Sequence, residues 1–144
     1  MEGSVTEEQA VIMVVDDNPM NIYVVSELLK SDNFKVDTAL DGVTALSMIK
    51  QRIDQFAVGE GILYRLILLD FSMPGMDGPT VAKEIQKLYQ ESETVTIDKV
   101  PYICCCTAYT SVEFKNKALE AGMDHFLNKP ISKQQLDELV TLLD

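Results

Sequence analysis

The chain has 144 residues, 47% apolar and 24% charged, the make-up of one ordinary folded domain with room for a real core. A formal net charge of −11 argues against a nucleic-acid or anionic membrane partner, because both demand clustered Lys and Arg. No apolar run reaches bilayer length, and the acidic opening MEGSVTEEQA is the opposite of a secretory signal; residues 1–10 read as a flexible lead-in to a domain over 11–144.

Along that domain, apolar runs alternate with helix-like stretches. Residues 11–15 read as a strand, closed by Asp16, Asp17, Asn18 and Pro19. Asn18 is a natural N-cap and Pro19 suits the first helical position. The helix that follows puts Ile22, Val25 and Leu29 on one face. A short strand is expected at 34–39. The turn signal Asp41-Gly42 then opens a second helix over 43–55, with Leu46, Ile49 and Ile53 inward. Residues 66–69 form a third strand, and after the Pro74-Gly75 turn Val81, Ile85 and Leu88 mark a third helix. Residues 100–106 make a fourth strand; Thr110 and Glu113 form a capping box for a fourth helix. A fifth strand is expected at 124–128. Ser132 and Gln135 then open the last helix, lined by Leu136, Leu139 and Leu143. The stretches 54–61 and 90–99 are long connections, expected at the surface.

Five strands alternating with five helices predict an α/β fold, a parallel sheet covered on both faces. Cys104, Cys105 and Cys106 are consecutive in an apolar run, without zinc or disulfide spacing, so they read as small buried hydrophobes. Free thiols suit a reducing cytoplasm.

Polar residues fall where each apolar run stops: Asp16 and Asp17 after the first strand, Asp70 after the third, Thr107 after the fourth, Asn128 and Lys129 after the fifth. Parallel strands bring those ends to one edge, where open α/β sheets bind ligands. Any one of these aspartates alone is more simply a turn or cap residue; the whole set at separate strand ends is not. Three close carboxylates raise one another's pKa, and an oxygen-only set suits Mg²⁺. Lys129 adds a mobile charge for phosphate and Thr107 a hydroxyl donor. His125 reads as structural, and GEGILY matches no nucleotide loop. The remaining candidate nucleophile is a carboxylate, and an aspartyl phosphate is chemically accessible.

VVDDNPMN (14–21), LILLDFSMPGMDG (66–78), CTA (106–108) and KP (129–130), in that order, resemble the response-regulator receiver domain of two-component phosphorelays. The resemblance implies a flavodoxin-like (βα)5 sheet of order 2-1-3-4-5. It implies Asp70 as phosphoacceptor, assisted by Lys129 and Thr107, with Asp16, Asp17, Asp70 and the Ser72 backbone carbonyl as Mg²⁺ ligands. Thr107 and Phe126 would be the switch pair, Ser72 and Tyr109 would tune hydrolysis of the acyl phosphate, and the Lys129–Pro130 bond would be cis. The partner implied is a histidine kinase or a histidine-containing phosphotransfer protein, and this chain would not be a kinase by itself. Asp17 and Asp70 lie 53 positions apart, more than a compact receiver has, and the excess around 54–61 would lengthen the second helix or its loop. The chain is expected to be a stand-alone receiver or the receiver of a hybrid histidine kinase. The rivals are a receiver-like interaction module that takes no phosphate and a Mg²⁺-dependent aspartate-nucleophile phosphatase; adjacent Asp16 and Asp17 fit the latter poorly, because its two aspartates stand two apart.

Overall fold

The computed structural model describes residues 10–108 and 111–143. In chain order the elements are β1 (Val11–Val15), α1 (Pro19–Lys30), β2 (Lys35–Ala39), α2 (Gly42–Ala57), β3 (Tyr64–Asp70), α3 (Gly78–Glu91), β4 (Tyr102–Thr107), α4 (Val112–Glu120), β5 (His125–Asn128) and α5 (Lys133–Val140). The five strands form one sheet of order β2-β1-β3-β4-β5, every neighbouring pair parallel.

Side chains of the central strands alternate between two cores, as a period of two requires. Val11, Met13 and Val15 join Ile67, Leu69 and Cys105 beneath α2, α3 and α4. Ile12 and Val14 join Leu66, Leu68, Cys104 and Cys106 beneath α1 and α5. Every residue of β1 is buried, and in β3 Arg65 alone is exposed. The cysteines are free and buried, and burial pushes the Cys105 thiol up to about 12, the behaviour of a packing residue.

Local chemistry starts each helix. Asn18 accepts from the N–H groups of Met20 and Asn21, Asp41 from Thr44 and Asp77 from Thr80. Ser132 and Gln135 form the expected reciprocal box. The cap of α4 differs from expectation. It is Ser111, whose hydroxyl accepts from the Phe114 N–H, and Thr110 lies outside the described residues. The second helix runs to Ala57, so part of the length around 54–61 is helical, and the 90–99 connection carries a short 3-10 turn at Ile97–Lys99. Ala10 is buried and its carbonyl accepts from the Lys35 N–H, so the packed chain already includes residue 10. Among the described residues no helix is long and apolar enough to cross a membrane.

Candidate functional site

The sheet order reverses between β1 and β3. Chain leaving β1 enters α1 on one face, and chain leaving β3 runs to α3 on the other, which opens a crevice at their carboxyl ends. Asp16 and Asp17 follow β1 directly, and Asp70 is the last residue of β3. One carboxylate oxygen from each lies within 4.8 Å of the others. Asp16 and Asp70 are buried, each 5% exposed, while Asp17 is exposed.

Lys129, just past β5, reaches into this cluster. Its ammonium donates to Asp70 Oδ1 at 2.9 Å and to Asp16 Oδ2 at 3.0 Å. The loop that carries it is tied to the neighbouring strand by the Lys129 N–H to Thr107 carbonyl bond, 3.0 Å. The peptide bond from Lys129 to Pro130 is cis. Thr107 ends β4, is buried, and stands in the same row of strand ends.

Burial raises the Asp70 carboxyl above its ordinary value, Asp16 and Asp17 add to the rise, and Lys129 opposes it. Burial pulls the Lys129 ammonium down, but its bonds to Asp70 and Asp16 prevail and it ends up raised. A carboxyl raised in the folded state contributes stability that is full below its ordinary 3.8 and is lost as pH rises through the raised value. The Asp70 charge therefore costs stability at neutral pH. Without divalent cation, Asp70→Asn is expected to melt above the parent at neutral pH, with the gap closing as pH falls toward 3.8. Melting curves that stay parallel across that range would contradict this.

The donor set fits a hard divalent cation. It is all oxygen, excess negative charge is packed at one point, and the ammonium of Lys129 already bridges two of the three carboxylates. Beside Lys129 lies a cavity of about 380 Å³, walled by Val14, Val25, Leu68, Cys106 and Ile131, with Asp16, Asn21 and Lys129 at its polar side.

Ser72 is exposed in the turn beyond Asp70, against a shallow depression shared with Phe71, Met73, Pro74 and Asp77. Phe126 is half-buried on β5, and Lys115 of α4 lies 5.9 Å from its ring centroid. Tyr109 lies outside the described residues. His125 begins β5, at the end of that strand away from Lys129, with its ring T-shaped to Tyr102 and the centroids 5.5 Å apart. Sequence reasoning missed Asn21, whose amide donates to Asp16 Oδ2 at 3.3 Å. The signal available was its place three residues after the Asn18 cap, in the first turn of α1. It also missed the Asp37–Arg52–Tyr64 cluster, in which Arg52 and the Tyr64 hydroxyl both donate to Asp37 Oδ2 at the other end of the sheet.

The family model for the response regulator receiver domain matches residues 12–141. The chain is 34% identical over 129 residues to the hybrid signal transduction histidine kinase L of Dictyostelium discoideum, covering 90% of this chain and 7% of that protein. It is 31% identical over 136 residues to the sensor histidine kinase RcsC of Escherichia coli, covering 94% of this chain and 12% of that one. The chain thus spans a small fraction of the curated relatives it matches. Among solved structures, it resembles the receiver domain of the Arabidopsis thaliana histidine kinase CKI1 complexed with Mg²⁺, with a TM-score of 0.79 at 25% identity, over 94% of this chain and 92% of that one.

Proposed function

The chain belongs to the response regulator receiver domain family, and from that premise we propose that Asp70 takes a phosphoryl group from a phosphohistidine on a partner protein. A single observation carries the assignment: Lys129 bridges Asp70 and Asp16 inside a three-carboxylate cluster at the point where the strand order reverses.

The partner is a histidine kinase or a histidine-containing phosphotransfer protein, docked over the carboxyl edge of the sheet. Lys129 holds Oδ1 of Asp70 and so fixes the plane of the carboxylate before transfer. The Asp70 oxygen attacks phosphorus in line as the P–N bond to the partner's imidazole breaks. Asp16, Asp17, Asp70 and the Ser72 backbone carbonyl would hold Mg²⁺. When bound, that ion supplies positive charge against the carboxylates and the phosphoryl oxygens. Lys129 transfers its ammonium from the carboxylates to a phosphoryl oxygen, and Thr107 turns its hydroxyl toward the same group.

The modification replaces a carboxylate with a group of larger charge and more acceptor oxygens. Contacts from Thr107 and Lys129 that exist only in that state bias the surface built by β4, α4 and β5, with Phe126 responding by packing, because its ring has no hydroxyl. Ser72 and Tyr109, two positions after Asp70 and Thr107 in the sequence, would tune the lifetime of the acyl phosphate. The output belongs to whatever protein carries or contacts this receiver, and a hybrid kinase is the context the matched relatives suggest.

The test is an intact mass after incubation with Mg²⁺ and acetyl phosphate. One labile phosphoryl adduct is expected, dependent on Mg²⁺ and absent from Asp70→Asn. No adduct from acetyl phosphate or from a phosphohistidine donor protein would refute the assignment and leave a receiver-shaped binding module.

A further inference from the structure

We propose that Asn21 is a positioning residue for the divalent-cation pocket: its amide holds the Asp16 carboxylate in one orientation, independently of Lys129. The inference rests on the metal-binding reading of the acidic cluster and adds to it a residue outside the ligand set.

Asp16 is the first residue beyond β1, and its backbone N–H is fixed on the Ala39 carbonyl at 3.2 Å. Its side chain is not fixed by the strand and must be oriented by what it touches. Oδ1 accepts from the Asn18 N–H at 2.9 Å. Oδ2 has two donors, Lys129 Nζ at 3.0 Å and Asn21 Nδ2 at 3.3 Å. These donors differ in kind. Lys129 sits on a long flexible stem, is shared with Asp70, and has a phosphate to visit. Asn21 is set in the first turn of a helix. The Asn18 side chain accepts from the Met20 N–H at 2.9 Å and from the Asn21 N–H at 3.4 Å.

The result is a closed ring of hydrogen bonds: Asp16 receives from the Asn18 backbone, the Asn18 side chain receives from the Asn21 backbone, and the Asn21 side chain returns to Asp16. The aspartate and two asparagines at positions 16, 18 and 21 lock one carboxylate to the start of α1. When Lys129 leaves for another acceptor, Asp16 keeps a donor on each oxygen and does not swing. Partners of this second kind, which orient a ligand without touching the metal, commonly carry 10- to 100-fold in metal affinity.

The experiment is calorimetric titration with Mg²⁺ alone, paired with phosphoryl uptake from acetyl phosphate across a series of Mg²⁺ concentrations. Asn21→Leu keeps a similar size, does not weaken the helix by propensity, and removes the donor. Its Mg²⁺ affinity should fall about tenfold. Its phosphorylation should slow at low Mg²⁺ and recover as Mg²⁺ is raised, and Asn21→Gln should restore much of the affinity. If Asn21→Leu does not fold, Asn21→Ala carries the same expectations. Parent-like Mg²⁺ affinity in the folded variant would overturn the proposal, as would a loss of rate that added Mg²⁺ does not repair. A parent that binds no Mg²⁺ would overturn the metal reading itself, and this one with it.

Discussion

Replacing Lys129 by methionine is expected to cost about 3 kcal/mol of stability without divalent cation, and to slow phosphorylation of Asp70 about 100-fold. The stability loss comes from what is left behind. Lys129 is 23% exposed at its side chain, while Asp16 and Asp70 are 8% and 7% exposed and both bond to its ammonium. Without that ammonium, two buried carboxylates face each other with Asp17 close by. Removing one partner of a fully buried pair costs about 3–5 kcal/mol, and the partial exposure here places the effect at the lower end. Mg²⁺ should restore most of the loss, because it returns positive charge to the same oxygens. Urea unfolding of parent and variant with and without Mg²⁺ reads this directly. A variant that unfolds with the parent in the absence of cation would show that the pair contributes nothing net. The rate loss has a separate origin, the missing charge on the phosphoryl oxygens during transfer, and acetyl phosphate kinetics at saturating Mg²⁺ isolates it.

Gly78→Ala is the second large effect. Gly78 begins α3, and its N–H donates to the Phe71 carbonyl at 2.8 Å. A methyl group there would sit 2.4 Å from the Asp70 carbonyl oxygen and 2.9 Å from the Phe71 Cα. Those are backbone atoms, so no rotamer change relieves the clash, and either the helix start or the end of β3 must move. The expected cost is about 3 kcal/mol, the upper range for overpacking. Because the displaced backbone belongs to Asp70, phosphorylation should slow too. Gly75 is the control, at φ +82° with open space around a built Cβ. Alanine there should cost about 1 kcal/mol of conformational strain and leave the Asp70 chemistry in place. Equal melting temperatures for the two variants would contradict the packing argument.

The strands were legible because both faces are covered: VIMVV and LILL have no alternation to confuse with a surface strand. The helix starts were legible where a cap stands beside its turn, as at Asn18 and Ser132, while Asp41, read as part of a turn, proves to be the cap of α2. The fourth helix shows the limit. Thr110 and Ser111 stand side by side as hydroxyl cap candidates, and Ser111 takes the role. The strand ends at Asp16, Asp70 and Thr107 were legible once the strands were parallel. What stayed hidden depends on side-chain reach across long sequence separation. Lys129 is 113 positions from Asp16 and 59 from Asp70, and nothing local says that one ammonium serves both. Tyr64 and Arg52 meet Asp37 in the same way, across 27 and 15 positions. Asn21 was hidden for another reason: a polar residue in the first turn of a helix is ordinary until its partner is seen.

The helices are not held equally. α3 buries Gly78, Pro79, Val81, Ala82, Ile85 and Tyr89, whereas α4 buries Ala118 alone. Its contacts with neighbouring elements include Phe114, T-shaped to Phe71 with ring centroids 5.1 Å apart, Lys117 to Asp77 at 3.5 Å, and Lys115 over Phe126. Opening free energy follows buried contact, so amide hydrogens in α4 should exchange through local excursions while those in β1 and β3 wait for the whole domain to unfold. Phe71 is the residue next to Asp70, so one of these contacts adjoins the proposed phosphoryl site. The buried central strands would hold the chemistry in place, and the helix that buries the fewest side chains is the part a small change at Asp70 would move most easily.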